Sequence, residues 1–84
     1  MNHHTSPDFW VAYRELPLPI QEAADVAFAL LKANPRHPSL HLKKVRKFWS
    51  ARVGLGYRAL AVESKGGLVW FWIGTHAAYD KLVG

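Results

Sequence analysis

The sequence has no cysteine and a single methionine. The absence of thiols excludes disulfides and thiolate metal sites, and it makes a reducing cytosol the natural setting. Acidic residues are also scarce: six Asp and Glu face eleven Lys and Arg, for a formal charge of +5 and a pI near 9.9. No stretch approaches the ~20 apolar residues of a membrane helix, and the N-terminus lacks a charged start leading into an apolar run. A soluble, cytoplasmic chain without a membrane partner is therefore expected. Repeats, low-complexity tracts and linkers are missing too, so the 84 residues read as one domain, 1–84, near the lower size limit for a core without staples. What is plentiful is apolar matter: half of the residues are hydrophobic, including four Trp, four Phe and three Tyr. That suffices for a core. The charge excess points to a polyanion or an acidic protein as partner, and composition does not choose between them.

The pattern along the chain predicts an α+β fold. Ser6-Pro7-Asp8 reads as a helix start, with Ser6 as N-cap, Pro7 at the first helical position and Asp8 in the first turn. Phe9, Trp10, Tyr13 and Leu16 follow at helical spacing. Pro17 and Pro19 interrupt, and Ile20, Ala23, Ala24, Ala27, Phe28 and Leu31 mark one buried face of a second helix that ends at Asn34-Pro35. The two helices should pack as an antiparallel hairpin. After a loop over Pro35–Ser39, Leu40, Leu42 and Val45 among basic residues suggest an exposed first strand whose charges protect an open edge. Phe48 to Glu63 is long and β-rich, with Gly54 and Gly56 marking a bulge or tight turn inside it. Lys65-Gly66-Gly67 suits a hairpin turn, and Leu68–Ile73 is apolar on both faces, as a central strand would be. Gly74 is expected to end that strand where the backbone needs freedom, and His76–Leu82 to form a short C-terminal helical turn. The expected architecture is a helix hairpin on a small antiparallel sheet of three, possibly four, strands. His3 and His4 read as terminal disorder. His37 and His41 lie four apart without a nearby carboxylate or cysteine, so no metal or cofactor is expected.

The helix hairpin, NPRHPSLHLKKV, ARVGLGYRALAV and WFWIGTHAAYD, in that order, resemble the RelE/ParE superfamily of toxins from type II toxin–antitoxin pairs. The resemblance spans about Asp8 to Leu82. Its most specific parts are Gly56-Tyr57-Arg58 before a β-run and Ile73-Gly74-Thr75-His76 closing the next strand, the latter similar to the YafQ-like and HigB-like branches. Two departures stand out. Larger members begin with an edge strand, for which Met1–Thr5 is short, and RelE-branch members carry further basic residues where this chain has His76-Ala77-Ala78.

The resemblance implies a metal-independent mRNA endonuclease acting on the ribosome to inhibit translation, with a cognate antitoxin as partner. In such cleavage the ribose 2′-hydroxyl attacks the adjacent phosphate, which calls for proton transfer and positive charge at the phosphorane oxygens. His76, of the one side-chain type that titrates near neutrality, is the candidate acid or base. Arg58 offers a planar fork for the phosphate. Tyr79, one helical turn after His76, is a candidate to stack on a base or orient the phosphate. Lys43, Lys44, Arg46, Lys47 and Arg52 form a candidate RNA- and ribosome-binding cluster. The residues alone leave plainer readings open: Arg58 as an ion-pair partner of Glu63 or Asp80, the basic cluster as edge protection, and Trp70, Phe71 and Trp72 as core. Two other functions also stay open, a ParE-like toxin that poisons DNA gyrase and a degenerate member that only binds its antitoxin.

Overall fold

Pro7 opens helix α1 (Pro7–Arg14) in the computed structural model, which describes residues 2–84, and a second helix, α2, spans Leu18–Ala33. Proline suits the first turn because its ring presets a helical φ and its missing N–H would have no helical acceptor there. Ser6 occupies the N-cap position in an extended conformation, yet its hydroxyl caps nothing and is buried without a partner. Its backbone is engaged instead, with the Ser6 N–H donating to the Trp70 carbonyl oxygen at 2.9 Å. The stripe on α2 faces the sheet as expected: Ala24 and Leu31 are buried, and Ala23, Ala27 and Phe28 pack against the same core. The helices are tied by the Tyr13 hydroxyl donating to Asp25 at 2.8 Å and by the Gln21 amide donating to the Leu16 carbonyl at 3.1 Å.

The sheet has five strands: β1 (Asn2–Thr5), β2 (Lys43–Val45), β3 (Phe48–Val53), β4 (Tyr57–Ser64) and β5 (Gly67–Thr75), in the order β1-β5-β4-β3-β2. The β1–β5 pair is parallel and the others are antiparallel. One expectation is narrowed here, to the tight turn, and one is corrected. The run from Phe48 to Glu63 is a hairpin of two strands, because Gly54 and Gly56 take left-handed φ values of 55° and 87° and reverse the chain completely. The first strand is also shorter than expected: Leu40 is buried in a 3-10 turn (Pro38–Leu40), His41 is left-handed with φ 44°, and only Lys43–Val45 pair as the edge. The hairpin turn at Lys65-Gly66 is as expected, with both φ values positive (37° and 81°), which matches the twist of the flanking strands. Helix α3 (His76–Val83) closes the chain.

His3 and His4 are the second correction of substance, since they lie in β1 rather than in a disordered end. Asn2-His3-His4-Thr5 has no apolar alternation to announce a strand, so its pairing comes from the open edge of β5. One side-chain contact reinforces it: Trp70 Nε1–H donates to His3 Nδ1 at 3.2 Å, with the rings stacked at 6.2 Å. Burial first, then positive charge that includes His4 and Lys32, pushes this imidazole below its ordinary 6.5. The unfolded or undocked strand therefore binds a proton more readily, and docking is fully stable above pH 6.5 and weakens as pH falls through 6.5 toward the lowered value. The protection factors of the β1 amides, after correction for the pH dependence of intrinsic exchange, should fall on acidification through 6.5 in the parent chain. A His3→Gln variant should not show that acid-dependent step.

Candidate active site

Strand alternation sorts the sheet residues onto two faces. Ala51, Val53, Ala59 and Ile73 join Phe9, Ala24 and Leu31 in the core under α1 and α2. Their neighbours along the strands, Ser50, Arg52, Arg58, Leu60 and Gly74, belong by register to the opposite face, where Arg58 stands between Arg52 and Gly74. Helix α3 lies over this second face. It is held at one end by the His76 N–H donating to the Gly56 carbonyl (2.8 Å) and at the other by a long contact from Arg46 to the Gly84 carbonyl (3.5 Å).

Arg58 is the centre of this arrangement. It is 7 % exposed, donates from Nη1 to Ser50 Oγ at 2.8 Å, and lies 5.3 Å from the centre of the Tyr79 ring. It is not an ion-pair partner of Glu63 or Asp80: among the described residues the ion pairs are Lys44–Glu63 and His76–Asp80. A guanidinium is always charged and has five N–H donors, of which the protein engages few here. Burying such a charge without a counter-ion is costly, and the cost is recovered when an anion binds. Tyr79, only 4 % exposed, cannot present its ring to a base. Its face is used on Arg58, which it holds in place by cation–π contact. Ser50, a fully buried partner of Arg58, was not anticipated; a lone small hydroxyl in FWSARV, two residues from Arg52 on the same face, is the trace it leaves in the sequence.

His76 is the first residue of α3, capped by Thr75, whose hydroxyl accepts from the Ala78 N–H at 3.1 Å. Its Nδ1 meets Asp80 Oδ2 at 3.2 Å, one helical turn on, and its ring lies 5.5 Å from that of Tyr79. With Nδ1 facing the carboxylate, Nε2 is the nitrogen turned to other partners, and the side chain is 53 % exposed. The i, i+4 spacing of His76 and Asp80 was open to view in the sequence. Gly74 does not end the strand, which runs on to Thr75, and its backbone is not left-handed. Glycine is needed because the Trp72 indole lies over it: an added Cβ would sit 2.5 Å from Cζ2. Gly74→Ala should thus displace Trp72 and destabilise the fold by roughly 1–3 kcal/mol, the usual range for overpacking, as read from denaturant unfolding.

The basic cluster is divided by the same alternation. Lys43 pairs with Ser50 and so shares the Arg58 face, whereas Lys44 pairs with Trp49 on the other. There Lys44 binds Glu63 at 3.0 Å, and Trp49 Nε1–H donates to the same carboxylate. Arg46 reaches Gly84, and Lys47 lies over the Phe48 ring at 5.7 Å. Arg52 turns its guanidinium to the Gly54 carbonyl (3.1 Å) and to His41 Nε2 (3.4 Å). The structure therefore brings Arg58, Tyr79 and His76 together and leaves Lys44 away from them. Among the described residues no group of three or more His, Cys, Asp or Glu could hold a metal, and no helix is long and apolar enough to cross a membrane.

No protein-family model matches the sequence, and the search of curated proteins finds no match. Solved structures do match. YafQ from E. coli strain BL21(DE3) superposes with a TM-score of 0.73 at 15 % identity, covering 93 % of this chain and 96 % of that one. The toxin fold in the RelB–RelE antitoxin–toxin complex from Methanococcus jannaschii gives 0.73 at 12 % identity, over 96 % and 99 % of the two chains. This chain has the RelE/ParE toxin fold. A third RelE/ParE-type match, in the RelBE2 toxin–antitoxin complex from Mycobacterium tuberculosis, reaches 24 % identity with a TM-score of 0.64 over 89 % and 96 %. Within the RelE/ParE fold, the Arg58 face here is the sheet surface that α3 only partly covers.

Proposed function

We propose that this chain is the toxin of a type II toxin–antitoxin pair and a metal-independent endonuclease that cuts mRNA on the ribosome, restrained by an antitoxin protein. The observation that carries the reading is the buried Arg58 guanidinium, without a carboxylate partner, beside an exposed histidine on one sheet face. In the reaction the 2′-oxygen forms a bond to phosphorus as the bond from phosphorus to the 5′-oxygen breaks, giving a 2′,3′-cyclic phosphate and a 5′-hydroxyl. Arg58 donates to the phosphorane oxygens, where charge accumulates. His76 Nε2 moves one of the two protons, and solvent at this exposed edge moves the other. Tyr79 and Ser50 position Arg58, and Asp80 positions the imidazole. Lys43, Arg46, Lys47 and Arg52 attract the RNA and ribosomal backbone without reading sequence, so ribosome binding should weaken steeply with salt. An acidic antitoxin is the complementary restraint for a chain of charge +5.

Inducing the chain in cells tests this directly. Arrest of protein synthesis with cleaved mRNA, relieved by co-expressing the product of a neighbouring gene, is the expected result. Arrest of DNA replication with intact mRNA would establish the gyrase-directed alternative instead, and the absence of any arrest would leave antitoxin binding alone.

A further inference from the structure

The face that bears Arg58 continues along the strands as an apolar patch that is never fully covered. Val45, Phe48, Val62, Val69 and Phe71 are all half-buried there. Val45 pairs with Phe48 and Val62 with Val69, and Phe48 is two residues before Ser50 on the same side of β3. Phe71 joins them through an irregularity in the ladder. Pairing passes from Ala61–Trp70 to Leu60–Trp72, so Phe71 is the extra residue and both Phe71 and Trp72 turn to the Arg58 face. Bulges of this kind re-aim a side chain, and they concentrate beside functional sites. Here the result is an aromatic pair built across β4: the Phe71 and Phe48 rings lie 5.7 Å apart at 49°.

The charge around this pair is one-sided. Lys47 Nζ lies over Phe48, and Lys43 stands opposite Ser50. The six acidic residues are elsewhere: Asp8 in α1 and Glu15 just after it, Glu22 and Asp25 in α2, Glu63 on the other sheet face with Trp49 and Lys44, and Asp80 in α3 at His76. A half-covered aromatic pair with cations and no carboxylate is what a nucleobase on a phosphate chain requires: a π-face for the base and positive charge for its backbone. The pair also lies in line with Arg58. Leu60 and Val62 follow Arg58 at two-residue steps on this face of β4, so at ~3.3 Å per residue the Val62 row of the patch lies roughly 13 Å from the Arg58 row, with the buried Leu60 between them.

We propose that Phe48 and Phe71 form a base-stacking subsite for single-stranded RNA, accepting the base of a nucleotide one or two positions from the one whose phosphate is held at Arg58. The subsite rests on the nuclease reading above and gives that reading a substrate grip beyond charge. Because every base has a π-face, the subsite would fix the position of the strand more than its sequence. A protein segment could also lie on an apolar patch, but the lysines, the absence of carboxylates on this face of the sheet and the continuity with Arg58 favour RNA.

The test uses the purified chain at low salt and two labelled oligoribonucleotides of about six residues, one with all its bases and one with abasic sugars at its centre. The parent should bind the base-bearing strand about 10-fold more tightly, on the order of one stacked base. Phe71→Leu and Phe48→Leu, which keep the patch apolar, should lose that margin while binding the abasic strand as the parent does and melting as cooperatively. The comparison within the parent chain needs no variant, so a misfolded substitution would not block it. If the parent binds both strands alike, or if the variants keep the margin, the subsite is refuted while mRNA cleavage by the same preparation on programmed ribosomes would leave the nuclease reading intact. If the preparation neither binds RNA nor cleaves it on ribosomes, both fall. Loss of antitoxin binding with an unchanged RNA margin would assign the patch to a protein partner and overturn the proposal.

Discussion

His76→Gln is expected to leave a folded, ribosome-binding and antitoxin-binding protein whose cleavage is slower by roughly 10²–10⁴-fold, the usual contribution of one general acid or base. Glutamine keeps much of the length of the imidazole and a hydrogen-bonding end, but it does not titrate. The surroundings of His76 explain why the rest should survive. The side chain is 53 % exposed, and its only polar partner among the described residues is Asp80, itself at the surface, so little packing is lost. The backbone contact that seats the start of α3 is the His76 N–H on the Gly56 carbonyl, and the helix cap is the Thr75 hydroxyl. Neither depends on the imidazole. Single-turnover cleavage on programmed ribosomes, with antitoxin pull-down and a thermal melt on the same preparation, separates these effects. Growth arrest undiminished by the substitution would reduce His76 to a strand-end residue.

Arg58→Met should slow cleavage by about 10²–10³-fold and leave the fold at least as stable. The guanidinium supplies charge where the transition state develops it, and removal of one such donor typically costs about 10²–10³-fold. Stability follows a different balance. The parent holds a charge at 7 % exposure with a hydroxyl and an aromatic face for company and no carboxylate. Methionine fills a similar length, keeps contact with the Tyr79 ring through its sulfur, and removes the desolvation cost. Exchanges of buried charge for apolar volume are often neutral or stabilising by about 1–4 kcal/mol, and the lost hydrogen bond to Ser50 offsets part of that, on the order of 1 kcal/mol. An unchanged or raised melting temperature with cleavage slowed by that factor is therefore expected. A melting temperature lowered by many degrees would make Arg58 a structural residue.

Part of this fold is legible in the sequence. Pro7, the stripe from Ile20 to Leu31, the Lys65-Gly66 turn and the buried Trp70 announce themselves because each follows from a local rule: a preset φ, a helical period, a left-handed turn, an apolar run. Arg58, Tyr79 and His76 were singled out, but what each does with its surroundings was not. The reason is that Ser50, Tyr79 and Arg58 meet across strand register and a helix packed from above, and neither is written in the spacing of any one segment. The five basic residues from Lys43 to Arg52 looked like one cluster, whereas alternation sends Lys44 to Glu63 on the far face. Strand β1 was illegible for a related cause. Its residues carry no pattern of their own, and it exists because β5 offers a free edge.

That parallel strand also bears on the order in which the molecule assembles. Strands β3, β4 and β5 are joined by short turns and can zip as neighbours, at little loop-closure cost. Strand β1 must find Gly67–Trp70 across more than sixty residues of sequence, the most distant pairing in the sheet. Long-range pairings are the slow ones, because the entropy of closing the intervening chain is lost before any contact compensates for it. The edge of β5, with Trp70, should consequently stay open until late in folding, when the hairpins and α2 already stand. In that interval the chain has an uncapped hydrophobic strand, the species most prone to join another chain edge to edge. Refolding should then show a slow, concentration-sensitive final phase reported by the Trp70 indole.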